Sequence, residues 1–166
     1  MWLALAGVAL IAATLVSALA SGGGIRSLPS IAGDSVGAIG PAHGAIFADV
    51  PLGSSPSAIA AGDGTLWVAN YNNSTVSRID PARHDVQTIQ VDSTPSGVAV
   101  GAGAVWVTNN FSGTLSRINP TVDRVVRTIG VGNGPSGVVV GYGDVWVATS
   151  SDGDAQPDQR RHRRSE

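Results

Sequence analysis

One pattern limits this chain more than any other: it repeats itself about every 40 residues. Pro56-Ser57, Pro95-Ser96 and Pro135-Ser136 recur at spacings of 39 and 40, and Trp67, Trp106 and Trp146 recur at the same two spacings. Ser77-Arg78-Ile79-Asp80-Pro81 returns 39 residues later as Ser116-Arg117-Ile118-Asn119-Pro120. Three independent anchors on one period mark a duplicated structural unit.

Each unit holds four short runs rich in Val, Ile and Thr. In the second unit these are Gly97–Val100, Ala104–Thr108, Thr114–Ile118 and Val125–Ile129, separated by Gly, Asn, Ser and Pro. Such runs read as antiparallel strands joined by tight turns. Four strands in roughly 40 residues is the signature of a β-propeller blade. A blade buries both faces against its neighbours, so its strands are near-continuously apolar, as in AVWV and GVVV. The recurring Trp is expected to fill the gap between adjacent blades.

Upstream, Ser35–Pro41 aligns with Thr75–Pro81, and Ile46–Val50 takes the place of a fourth strand. The fold expected over 35–151 is therefore all-β: a partial β-propeller of about three blades of four-stranded antiparallel sheet, following an N-terminal apolar helix. It comprises the last two strands of one blade, two whole blades and the first two strands of another. Closed propellers have four to eight blades, so the remaining blades are expected to be missing from this chain. A third strand should follow Ser150. Residues 152–166 instead hold Ala155 as their sole hydrophobic side chain and four charges of each sign, which predicts a disordered tail.

Trp2–Ala20 carries no charge and is long enough to span a bilayer as a helix. Residues 1–20 read as a transmembrane anchor or a signal segment, with Ala18-Leu19-Ala20 as the cleavage pattern in the second case. Residues 21–34 are Gly-rich and read as a flexible tether. The propeller is then extracytoplasmic, membrane-anchored or secreted.

Reactive groups are few. The chain has no Cys, all ten basic residues are Arg, and the single Glu is Glu166, so thiolate and Schiff-base chemistry are excluded. The three histidines, His43, His84 and His162, are far apart. No catalytic residue, metal ligand or cofactor is assigned, and a net charge of −2 gives no reason to expect nucleic acid as a partner.

The stretch PSGVAVGAGAVWVTNNFSGTLSRINPTVDRVVRTIGVG resembles the YVTN-type repeat of bacterial β-propellers, related to the propellers of streptogramin (virginiamycin B) lyases. An apolar helix, a Gly-rich tether and repeats carrying LWVAN and VSRIDP also resemble the membrane-anchored sensor region of bacterial transmembrane regulators. The lyase resemblance implies a metal held by His and acidic residues near the propeller axis. No His or Glu occurs on the innermost strands, Ser57–Ala60, Gly97–Val100 and Gly137–Val140, which departs from that pattern.

Two groups of residues stand out. Arg78 and Arg117, with Trp67, Trp106 and Trp146, recur at fixed blade positions and read as structural, the arginines tying strands or blades by charge-assisted hydrogen bonds. Asn70, Tyr71 and Asn72, with Asn109, Asn110 and Phe111, are placed in the turns between the second and third strands. Asn suits turn backbones, and an aromatic ring beside amides could contact a small molecule, glycan or protein. The expected function is a binding or sensor module, with a lyase-like enzyme or a truncated remnant as the alternatives.

Overall fold

β-strands of a computed structural model covering Leu28, residues 30–52 and residues 55–150 follow the repeat in order. β1 (Ser35–Ile39) pairs with β2 (Ile46–Pro51). β3 (Pro56–Gly62), β4 (Thr65–Asn70), β5 (Thr75–Ile79) and β6 (Val86–Gln90) form one four-stranded antiparallel meander. β7 (Pro95–Gly101), β8 (Ala104–Asn109), β9 (Thr114–Asn119) and β10 (Arg124–Gly130) form a second, and β11 (Pro135–Gly141) with β12 (Asp144–Thr149) a last pair. The described residues thus hold two four-stranded sheets flanked by two half-sheets, and no helix. Among the described residues there is accordingly no helix long and apolar enough to cross a membrane. The apolar segment 1–20, most of the tether and the tail 152–166 lie outside the described residues.

The hairpins between first and second strands explain why the period holds. Asp63-Gly64, Ala102-Gly103 and Tyr142-Gly143 each have positive φ at both residues, the two-residue type I′ geometry that matches strand twist. The pairs Gly62↔Thr65, Gly101↔Ala104 and Gly141↔Asp144 close them. Each first strand opens on Pro and shifts register just after it, at Pro56/Ala58, Pro95/Gly97 and Pro135/Gly137. Proline lacks a ladder donor and belongs at such a strand start or bulge.

The hydroxyl of the residue after this proline reaches both the second strand of its own sheet and the next blade. Ser57 Oγ donates to the Pro95 carbonyl at 2.8 Å, and Ser96 Oγ to the Pro135 carbonyl at 2.8 Å. A seam therefore runs β3 to β7 to β11, strand against strand with no shared ladder. Glycine is required where the seam is closest. A Cβ on Gly62 would collide with Val100, and one on Gly101 would lie 2.8 Å from Val140.

Two apolar clusters hold the sheets face to face. Trp67, Ala69 and Val76 of the first blade pack on Val98, Val105, Val107 and Ile118 of the second. On its other face Val68 and Ile79 pack with Val50 and Val36 of the first half-sheet. Burial of both faces is thus met for the first whole blade. Tryptophan fills the gap as expected at position 67, which is 0% exposed, but Trp146 is 54% exposed because no further sheet covers it among the described residues.

The exposures predict unequal costs for one substitution. Trp67→Ala should destabilise by about 3–5 kcal/mol, the usual cost of emptying a buried aromatic site. Trp146→Ala should cost less than about 1 kcal/mol in the isolated chain. Urea unfolding of the monomer at low protein concentration, followed by far-UV circular dichroism, would show the difference, and equal costs there would contradict the packing described.

Candidate functional site

Equivalent turns of the two whole blades, at the end of the sheets that carries Ser55 and Thr94, hold Tyr71 with Asn72 and Asn110 with Phe111. Tyr71 is 43% exposed and Phe111 is 83% exposed. Their loops are held from below. Tyr71 N donates to the Ser55 carbonyl at 2.9 Å, Asn110 N to the Thr94 carbonyl at 2.8 Å, and Phe111 N to Thr94 Oγ1 at 2.7 Å. Asn72 Nδ2 donates to Ser55 Oγ at 2.7 Å, while Asn110 Nδ2 crosses the seam to the Pro135 carbonyl at 3.3 Å. The aromatic rings stand on fixed backbone.

Asn70 and Asn109 belong elsewhere. They are the last residues of β4 and β8 rather than turn residues, and both are buried. Asn70 Nδ2 donates to Thr75 Oγ1 and Ser77 Oγ at 3.1 and 2.8 Å. Asn109 Nδ2 makes the same pair to Thr114 Oγ1 and Ser116 Oγ at 3.0 and 2.9 Å. Each amide clasps two hydroxyls of the neighbouring strand across the turn. The Ser and Thr hydroxyls at these positions were the sequence signal that could have placed the asparagines inside.

The tryptophans and arginines form cross-strand pairs, Trp67↔Arg78 and Trp106↔Arg117. Each guanidinium lies over its indole, at 5.5 and 5.7 Å from the ring centre, a cation–π arrangement. Arg78 also leaves its blade. Its Nη1 sits 2.9 Å from both Asp123 carboxylate oxygens and donates to the Pro120 carbonyl at 3.2 Å. This ties β5 to the β9–β10 turn of the next blade, the expected charge-assisted tie. Arg117 has no such hydrogen bond among the described residues; the repeat counterpart of Asp123 falls beyond them.

The indoles differ for a local reason. Trp106 and Trp146 donate to the Gly101 and Gly141 carbonyls at 3.2 and 3.0 Å. In the first blade Thr65 Oγ1 takes the matching Gly62 carbonyl at 3.2 Å, and Trp67 Nε1 is left without a partner.

Near the opposite end, Thr65, Arg78, Asp80, Arg83, Asp85 and Gln87 line a shallow polar hollow. Asp80 Oδ1 accepts from the backbone of Ala82 at 2.8 Å and Arg83 at 3.2 Å. These bonds hold the Asp80 carboxyl below its ordinary range, with the charges of Arg83 and His84 as smaller helpers. Asn119 makes the same turn in the second blade, accepting from Thr121 N at 2.9 Å. Among the described residues no three His, Cys, Asp or Glu side chains come together as a metal-binding group.

Sheets of four antiparallel strands laid face to face along a seam of first strands define a β-propeller-type repeat protein. The chain belongs to the family described as a repeat of unknown function (DUF6923), whose model matches residues 30–154. No curated protein matches it at a significant level. Among solved structures it is similar to a functionally unknown protein from Desulfotomaculum acetoxidans, at 17% identity and a TM-score of 0.60, covering 70% of this chain and 42% of that one. AztD from Citrobacter koseri follows at 14% identity and 0.58, covering 74% and 35%. Kuenenia stuttgartiensis hydrazine synthase shares 24% identity at 0.56, covering 58% and 29%. These likenesses establish the fold, and the chain spans less than half the length of each of those structures.

Two outcomes follow from the polar contacts. A double-mutant cycle of Arg78→Ala and Asp123→Ala should give a coupling of about 1 kcal/mol that shrinks as salt rises, because both side chains are partly exposed. A coupling insensitive to salt would show the pair to be shielded. For Asp80, folding favours the ionised carboxylate. Its contribution is therefore present above the unfolded value near 3.8 and is lost as pH falls through the lowered folded value. Asp80→Asn keeps the turn, as Asn119 does, and should flatten this acid-side loss in thermal melts.

Proposed function

We propose that the chain is a non-catalytic binding module whose contact surface is the Tyr71 and Phe111 loop end, with a glycan as ligand. The observation behind this reading is a contrast within the repeat. Trp67, Arg78, Asn70 and Asn109 are engaged inside or between sheets. Phe111 stays 83% exposed on a loop pinned by Thr94 and by the next blade. A rigid aromatic face beside primary amides suits a sugar, whose C–H faces stack on rings while its hydroxyls meet amides. Preorganisation of the loops lowers the entropy cost of binding.

The finer resemblance, a YVTN-type repeat akin to streptogramin lyase propellers and to membrane-anchored sensor regions, belongs to this proposal. The uncharged segment Trp2–Ala20 supports a tether that places the module on the extracytoplasmic side.

An oligosaccharide array tests the reading. The chain should bind a subset of glycans, and Tyr71→Ala with Phe111→Ala should weaken those signals about tenfold, the loss of about 1.4 kcal/mol. Tyr142→Ala, at the opposite end and fully exposed, should leave them unchanged. Binding that ignores the loop pair but falls with Tyr142 would overturn the assignment of the face.

A further inference from the structure

The two half-sheets are complementary halves of one blade. By repeat position, β11 and β12 match β3–β4 and β7–β8, the first and second strands of a blade. β1 and β2 match β5–β6 and β9–β10, the third and fourth. Among the described residues β12 pairs only with β11 and β1 only with β2, so each presents one open edge. Those edges are the ones that meet in a whole blade, where β4 pairs with β5 and β8 with β9.

We infer that two copies of this chain complete each other, β12 of one pairing antiparallel with β1 of the second. The whole blades set the register. Leu66↔Ile79 through Asn70↔Thr75, and Val105↔Ile118 through Asn109↔Thr114, translate to Val145↔Ile39, Trp146↔Ala38, Val147↔Gly37, Ala148↔Val36 and Thr149↔Ser35. With twelve strands among the described residues of each copy, both junctions together make six four-stranded blades, inside the four-to-eight range of closed propellers.

Three observations fit a second copy as the occupant. The first is exposure at positions that are buried in the whole blades. Ile39 is 54% exposed although its counterparts Ile79 and Ile118 are 0% exposed, and Trp146 is half-exposed where Trp67 is buried. The second is the seam. Ser57 and Ser96 each bond the proline carbonyl of the next first strand, whereas Ser136 is exposed and reaches no such carbonyl among the described residues. In the pairing, that next carbonyl is Pro56 of the second copy, itself exposed where Pro95 and Pro135 are buried. The third is an open trough between β1 and the first whole blade, lined by Ser35, Val36, Pro56, Ala58, Ile59 and Val68. It lies on the side where the first two strands of that blade would stand, and β11–β12 of the second copy are those strands.

Because the chain has no cysteine, cross-strand disulfides can read the pairing directly. Directly opposed residues of an antiparallel pair have Cα atoms about 4.5–5.5 Å apart, within the roughly 4.4–6.8 Å that a disulfide spans. Full-length Ser35→Cys and Thr149→Cys variants, solubilised in detergent, are oxidised separately and as a mixture. The mixture should give a covalent dimer on a denaturing non-reducing gel, each variant alone should run there as a monomer band, and the out-of-register mixture of Ile39→Cys with Thr149→Cys should give no dimer band. Adding Trp146→Glu to the Thr149→Cys chain should abolish the band while circular dichroism still reports β-sheet. The proposal is overturned if the in-register mixture cross-links no better than the out-of-register one, or if native mass spectrometry of the unmodified chain finds monomer alone. It is equally overturned if Trp146→Glu leaves the cross-link intact.

Discussion

Burial of both faces of every sheet is the constraint on which this molecule depends. A four-stranded sheet of this size has no core of its own; Trp67, Ala69 and Val76 become interior only when Val98, Val105 and Val107 of the next sheet cover them. Stability in such a stack resides in the interfaces between repeats as much as in the repeats themselves. The serine-to-proline seam sets the spacing at which those interfaces form. Its glycines let Val100 and Val140 approach backbone directly, so the seam fixes both distance and order.

Much of this architecture was legible in the sequence because the determinants are local and repeated. Positive-φ dipeptides such as Ala102-Gly103, strand-opening prolines and the Trp–Arg register each leave a mark at a constant offset. The flanking half-sheets were readable for the same reason, since β1 carries the pattern of β5 without its arginine. What escaped was environment. Asn70 and Asn109 look like turn residues because asparagine is common there. They are strand ends that clasp buried hydroxyls, and burial depends on sheets stacked from far along the chain. Arg117 shows the converse. Its sequence context copies that of Arg78, yet of the two only Arg78 meets a carboxylate among the described residues, because the ion pair needs a partner one blade further on.

The candidate site was less legible than the fold, and the physical reason is the repetition itself. Residues that recur at the same blade position answer to packing and hydrogen bonding shared by all blades. A ligand contact needs no such recurrence and can fall on any exposed loop. Tyr71 and Phe111 lie one repeat position apart, Tyr71 matching Asn110 and Phe111 matching Asn72, and they differ in exposure, 43% against 83%. The loops also sit differently, with Asn72 held by Ser55 of its own blade and Asn110 by Pro135 of the next.

The blades also differ where they meet, and the differences are coupled across the seam. Arg78 at its position in β5 faces Asp123 in the following turn, while one repeat earlier the arginine position holds Ala38 and the carboxylate position holds His84. A cation therefore stands where an anion follows, and is absent where a histidine follows. Identical blades could stack in any order. A charged pair present at one interface and missing from the other makes the two interfaces inequivalent, so a misordered stack would bring Arg78 to a turn that lacks its carboxylate. The repeat supplies the shape common to all blades, and the departures from it specify which blade follows which.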